Sequence, residues 1–184
     1  MLSFEETFKV LPATGWFTEA EARLMWDLVK LLTGDVLEIG TYCGRSARLI
    51  SEAIQTDLTR RFYCCDPWVE GFDGVRTPAA DQIVISVLDA LCQGPAAPQI
   101  SLCRMVESKL FEHWNIRHRL SLVFIDGDHS KKATLGAIQR WAPLADKVAL
   151  HDFGGMHVGV AQAAKEYGLK RLDLAGRLAV FDGH

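Results

Sequence analysis

A chain of 184 residues, 49% of them hydrophobic, has room for one domain with a continuous core and is cramped for two. Its 20 Lys and Arg stand against 23 Asp and Glu, a net charge of -3, so no bulk attraction draws it to nucleic acid or to an anionic membrane, and no apolar run approaches the roughly 20 residues that span a bilayer. Five cysteines, Cys43, Cys64, Cys65, Cys92 and Cys103, follow no zinc spacing and cannot all pair within the chain; with no signal peptide in view they read as reduced thiols in a cytoplasmic protein.

Residues 1–16 form a leading segment broken into short pieces by Pro12 and Gly15. Thr18-Glu19-Ala20-Glu21 has the form of a capping box, in which the Thr hydroxyl takes one free N–H and Glu21 reaches back for another. The helix it opens runs to about Leu32, with Leu24, Met25, Leu28, Val29, Leu31 and Leu32 on one broad apolar face. Val36 to Ile39 is a short strand running into Gly40, and after Gly44 the period changes to that of a helix, with Ala47, Ile50 and Ile54 inward. A second strand over residues 61–65 stops at Asp66-Pro67, and a polar connection over 70–76 follows. Thr77-Pro78 starts a helix that runs to Cys92 and turns Ile83, Val84, Val87, Leu88 and Leu91 toward a sheet.

After a turn at residues 93–98, Ile100 to Cys103 is a third strand and residues 106–114 a short helix. Leu120 to Ile125 is apolar almost throughout, as in a central parallel strand buried on both faces, and it ends in Asp126-Gly127-Asp128-His129. Residues 130–141 form a crossover helix with Thr134, Ala137, Ile138 and Trp141 inward, and a fifth strand over 147–150 ends at His151-Asp152. Gly154 and Gly155 allow a loop before a helix over 158–167 that packs Val160, Ala163, Ala164 and Tyr167. Residues 169–174 and 178–181, around Ala175-Gly176, read as a closing antiparallel hairpin. Five alternations of strand and helix before that hairpin make an α/β fold, an open sheet covered on both faces.

Ligands of such sheets bind beyond the carboxyl ends of the strands, and here those ends carry the polar residues: Glu38 to Gly40, Asp66, Asp126 to His129, and His151-Asp152. The loop Glu38-Ile39-Gly40-Thr41-Tyr42-Cys43-Gly44-Arg45-Ser46 has glycines four apart, which let backbone pass close to a ligand and aim a helix N-terminus at it, although any tight strand-to-helix turn also uses glycine. It is neither the GxGxxG of dinucleotide sites nor a phosphate-cradling P-loop, which speaks against NAD and ATP. Asp66 suits both hydroxyls of a ribose, the alternative being a turn cap beside Pro67.

Glu38 to Ser46, then Asp66-Pro67-Trp68, then Phe124-Ile125-Asp126-Gly127-Asp128-His129-Ser130, then His151-Asp152-Phe153 resemble the small class I S-adenosylmethionine (SAM)-dependent methyltransferases grouped with macrocin and cephalosporin-pathway O-methyltransferases, and more distantly catechol O-methyltransferases. The resemblance runs from about Gly15 onward. It implies a Rossmann-like, doubly wound, mostly parallel seven-stranded sheet of order 3-2-1-4-5-7-6, with residues 1–33 a helical segment packed on a SAM-binding domain of residues 34–184. Carried over, Glu38, Gly40 and Gly44 line the methionine part of SAM, with Thr41, Tyr42 and Ser46 of the same loop also binding the cofactor, Asp66 holds the ribose, and Trp68 lies near the ribose or the mouth. Met105 to Ser108 edge the adenine, and Asp126 sits beneath the amino-acid end.

Metal-dependent relatives hold Mg²⁺ or a similar ion with carboxylates from the ends of strands four and five, to which Asp126 and Asp152 correspond. Where catechol-type enzymes have Asp-Asn, this chain has His151-Asp152-Phe153, so His151 becomes a candidate third ligand, suited to Mn²⁺, with Asp128 as the other. His129 is the first choice for general base, its alternative being a packing role beside a helix cap, and Asp126 and His151 complete the catalytic expectation. The implied reaction is methyl transfer to a small-molecule acceptor, expected at a hydroxyl oxygen; the competing class is a non-catalytic SAM-fold regulatory or assembly subunit. Nucleic acid and membrane partners are not expected. Trp16, Phe17 and Phe72 are candidate lid residues, and the exposed edges of the closing hairpin point to a homodimer.

Overall fold

The computed structural model describes residues 2–69, 79–92 and 99–183; the connection expected at 70–76 with its Phe72, the helix start at Thr77-Pro78 and the turn at 93–98 lie outside them. The elements are α1 (Phe4–Lys9), α2 (Glu19–Leu31), β1 (Val36–Ile39), α3 (Arg45–Ile54), β2 (Phe62–Cys65), α4 (Ala80–Cys92), β3 (Ile100–Cys103), α5 (Glu107–His113), β4 (Leu120–Ile125), α6 (Lys131–Trp141), β5 (Ala145–Leu150), α7 (Val158–Tyr167), β6 (Arg171–Ala175) and β7 (Leu178–Asp182). Both α1 and α2 start in capping boxes, Ser3 with Glu6 and Thr18 with Glu21. The first of these turns part of the leading segment into a helix, which its short broken pieces concealed.

The sheet runs β3-β2-β1-β4-β5-β7-β6, with β1 to β5 parallel and the β6–β7 hairpin antiparallel. Side chains alternate between its faces, so Val36 joins the core under α1 to α4 while Leu37 and Ile39 join the core under α5 to α7. Every residue of β1 and β4 is buried, as their apolar runs require of central parallel strands.

On α2 the buried stripe is Ala22, Met25, Trp26 and Val29, which leaves Leu31 on the opposite side and 78% exposed, outside the face expected for it. For the same reason Leu88 of α4 is turned away from the stripe of Ile83, Val87 and Leu91.

Strand register is what positions the site. Ile39 lies beside both Cys65 and Ile125, and Ile125 lies beside Leu150. Four parallel strands therefore stop abreast, and the residues that follow them, Gly40, Asp66, Asp126 and His151, stand along one rim.

Candidate functional site

Beyond that rim lies a cavity of about 510 Å³, a size typical of small-molecule sites. Its floor is the loop between β1 and α3, which can pass under Asp126 only because residue 40 is glycine: at φ +91° a Cβ there would stand 2.1 Å from the Asp126 carbonyl oxygen. Gly44 caps α3 and, having no side chain, offers the first-turn N–H groups of that helix no side-chain acceptor of its own.

Asp66 closes one side. Its two carboxylate oxygens accept from the backbone N–H groups of Tyr42, at 2.9 Å, and Trp68, at 2.6 Å, while the Trp68 indole donates to the Tyr42 carbonyl at 3.0 Å. Tyr42 and Trp68 both sit at positive φ, 46° and 45°, so the carboxylate is held by two strained turns that lock each other. Burial pushes the Asp66 carboxyl up, against the two N–H bonds that favour its ionised form. At the opposite end Glu107 takes a bidentate pair from Arg140 and a bond from the Trp141 indole, which fixes the start of α5 and the Met105 to Ser108 edge. Trp16, 62% exposed, stacks on Tyr42 at the mouth with centroids 6.0 Å apart.

The acidic end gathers charges from α2, the turn after β4, the end of β5 and the β6–β7 turn. His151, 1% exposed, directs Nδ1 at Asp126 Oδ1 (3.2 Å) and Asp152 Oδ2 (3.4 Å), and Nε2 at Glu21 Oε2 (3.5 Å). His129 Nε2 lies 3.1 Å from Asp152 Oδ2 and 3.7 Å from Asp126 Oδ1, and Arg177 pairs with the other Asp152 oxygen at 2.8 Å. Burial opposes a charged His151, but the charge of Asp126 and hydrogen bonds to Asp126, Asp152 and Glu21 outweigh it and push the imidazole up to about 12. Burial likewise opposes ionised Asp152, yet hydrogen bonds from His129 and His151 hold it well below the usual carboxylate range.

Asp126, His151 and Asp152 offer donor atoms that all lie within 4.8 Å of one another, and Glu21 stands behind the imidazole as the outer carboxylate that commonly orients a ligating histidine. This donor set fits a divalent ion. Asp128, the alternative third ligand, belongs to no such group among the described residues; it accepts the Ser130 N–H in the turn that leads into the α6 cap.

Of the residues expected at the site, Gly40, Thr41, Tyr42, Ser46, Asp66, Trp68, Met105, Ser108, Asp126, His129, His151 and Asp152 line the cavity. Glu38 and Gly44 do not, and for them the expectation of a lining role is corrected. Glu38 is fully buried behind the loop, where it accepts the Ser46 hydroxyl and burial pushes its carboxyl up to about 8. Gly44 faces Ala90 and Val87, so its missing side chain serves the approach of α3 to α4. Sequence reasoning missed Glu21, His157 and Arg177. Glu21 was legible only as a cap, and nothing in the spacing of the other two points to the site.

A seven-stranded sheet of this order with its cavity at the strand ends is the class I SAM-dependent methyltransferase fold. A profile of the methyltransferase domain matches residues 37–153, and the chain belongs to that family. It is similar in structure to a putative O-methyltransferase from Klebsiella pneumoniae (13% identity, 97% of this chain and 88% of that one, TM-score 0.68). The O-methyltransferase TomG of Streptomyces achromogenes, involved in tomaymycin synthesis and solved with SAM, matches at 13% identity over 91% and 81% of the two chains, with a TM-score of 0.67. A Bacillus cereus O-methyltransferase with bound SAH matches at 12% identity over 97% and 90%, with a TM-score of 0.65. No curated protein matches by sequence. No helix among the described residues is long and apolar enough to cross a membrane.

Proposed function

We propose that the chain transfers the methyl group of SAM to a hydroxyl oxygen of a small-molecule acceptor, as the macrocin and cephalosporin-pathway group does, with help from a divalent ion. One observation carries the reading: strand ends far apart in sequence stop abreast, so that Asp66, Asp126, His129, His151 and Asp152 face a single cavity. SAM supplies a methyl group on a sulfonium, and the helix N-terminus after Gly44 suits the carboxylate of its amino-acid end. Asp66, held by Tyr42 and Trp68, keeps lone pairs on both oxygens for a ribose diol.

Asp126, His151 and Asp152 would hold Mg²⁺ or Mn²⁺, the imidazole favouring Mn²⁺, and such an ion lowers the pKa of a coordinated hydroxyl. His129, oriented by Asp152, takes the acceptor proton; the acceptor oxygen then bonds the methyl carbon as its bond to sulfur breaks, leaving neutral S-adenosylhomocysteine (SAH). Alignment and charge balance are the protein's contributions. Trp16 stands exposed at the mouth as a lid residue, whereas Phe17, expected beside it as a lid, is buried against Phe124 and His151 and serves as wall. A homodimer and a reducing, cytoplasmic setting complete the proposal, supported by exposed Leu172 and Leu174 on edge strand β6 and by five unpaired thiols.

The test is calorimetric titration with SAH, with and without Mg²⁺ or Mn²⁺, on the wild type, Asp66→Ala and Asp126→Ala, followed by a screen of hydroxyl acceptors. Asp66→Ala should cost about 1–3 kcal/mol of SAH affinity through lost charge-assisted hydrogen bonds. Unchanged affinity would remove Asp66 from the ribose role.

A further inference from the structure

A second group of metal-ligating side chains stands beside the first: His129, Asp152 and His157 offer donor atoms that also lie within 4.8 Å of one another. They come from the turn after β4, the end of β5 and the residue before α7. His129 Nε2 is 3.1 Å from Asp152 Oδ2, and the rings of His129 and His157 lie 4.2 Å apart at 39°. With Asp152 Oδ1 held by Arg177, Oδ2 is the oxygen turned toward the histidines.

The backbone is built to bring these residues together. The loop from Asp152 to His157 doubles back through positive φ at Asp152 (51°), Gly154 (99°) and Gly155 (66°), and a bridge between Gly154 and His157 closes it. The first turn of α7 then lies so close to residues 129–131 that a Cβ on Gly159 would meet the His129 carbonyl oxygen and the Lys131 nitrogen, each at 2.6 Å. Glycine at 159 is therefore what permits His157 to reach His129.

We propose that His129, Asp152 and His157 form a binding site for a borderline divalent transition-metal ion, with Zn²⁺ the best match. Two imidazole nitrogens and one carboxylate oxygen are a donor set of the kind zinc takes and Mg²⁺ avoids. The site differs from the Asp126–His151–Asp152 set in depending on His157, and it shares Asp152 with it. An ion held there uses the lone pair with which His129 would accept a proton, so zinc binding and the base role proposed above exclude each other. That consequence rests on the functional reading; the binding does not.

The experiment is a Zn²⁺ titration of metal-stripped protein against a chromophoric chelator, on the wild type, His157→Ala and the size-matched His157→Gln, with thermal melts of the metal-free variants and an SAH titration beside it. Both variants should melt as the wild type does, bind SAH equally well and lose at least about tenfold in Zn²⁺ affinity. Wild-type Zn²⁺ affinity in either folded variant would overturn the site, because the ion would then be held by donors that do not include His157. Failure of SAH to bind any of the three proteins would strike the methyltransferase reading and leave the zinc result standing.

Discussion

Glu38→Gln tests whether the fully buried carboxyl under the glycine loop is neutral at physiological pH. Burial raises its pKa from the ordinary 4.5 to about 8, against the hydrogen bond from Ser46 that favours the ionised form. A carboxyl raised on folding contributes stability that is complete below about pH 4.5 and is lost as the pH climbs through about 8, because the unfolded chain gives up its proton first. Within that window the slope is about 1.4 kcal/mol per pH unit, so between pH 5.5 and 7.5 this one group should cost the wild type roughly 2–3 kcal/mol. Glutamine keeps an acceptor for Ser46 and removes the ionisation. Urea unfolding of the ligand-free wild type and variant at both pH values cancels every other titrating group in the difference. The variant should gain roughly 2–3 kcal/mol on the wild type as the pH rises over that window. Parallel pH dependences would refute the reasoning and mean that Glu38 is ionised in the fold.

Gly40→Ala places a methyl group 2.1 Å from the Asp126 carbonyl oxygen at positive φ, against the backbone of Asp126 and Gly127, and should cost roughly 3 kcal/mol or more in chemical denaturation; a wild-type midpoint would contradict the close approach. Glu21→Ala removes the acceptor of the Thr18 and Arg177 N–H groups and a buried partner of His151, at a cost of about 3–5 kcal/mol, whereas Glu21→Gln keeps the capping box and should cost about half of that or less. Equal losses in the two variants would show that the negative charge at 21 has no part in the site. Once an acceptor is known, chelator treatment should lower the methyl-transfer rate and Mn²⁺ should restore it; undiminished transfer in stripped protein would take the ion out of the mechanism and leave His129 as the sole acceptor of the proton.

The sequence made the strands legible because burial on both faces leaves near-continuous apolar runs, and the rim legible because acids interrupt those runs at their ends. Asp66, Asp126 and Asp152 could be read in this way. Glu38 could not be placed by the same reasoning: it lies inside β1, two residues short of the rim position held by Gly40, and the two-residue period of the strand puts it on the covered face beside Val36. His157 was invisible for a different reason. It belongs to the rim through a loop whose return depends on positive φ at Asp152, Gly154 and Gly155 and on one helix-packing glycine, Gly159, none of which leaves a periodic trace. Likewise Leu31 and Leu88 look inward to a count of apolar residues and outward once the phase of the buried stripe is known.

Asp126, Asp152 and Glu21 crowd around His151, and three carboxylates so placed would repel one another unless cations stood between them. With no ion bound, protonated His151 from the end of β5 and Arg177 from the β6–β7 turn play that part, and a bound divalent ion would take the place of the His151 proton; the turn itself is anchored by Glu21, whose Oε1 accepts the Arg177 N–H at 2.7 Å. That anchor fits only because Gly176 has no side chain: a Cβ there would meet the same oxygen at 2.6 Å. The leading helix and the closing hairpin, which look from sequence like packing on either side of a methyltransferase core, therefore meet at one carboxylate and set the position of both oxygens of Asp152. Electrostatic balance at the rim ties those outer elements to the chemistry, and it explains why a capping residue of α2 is buried at all.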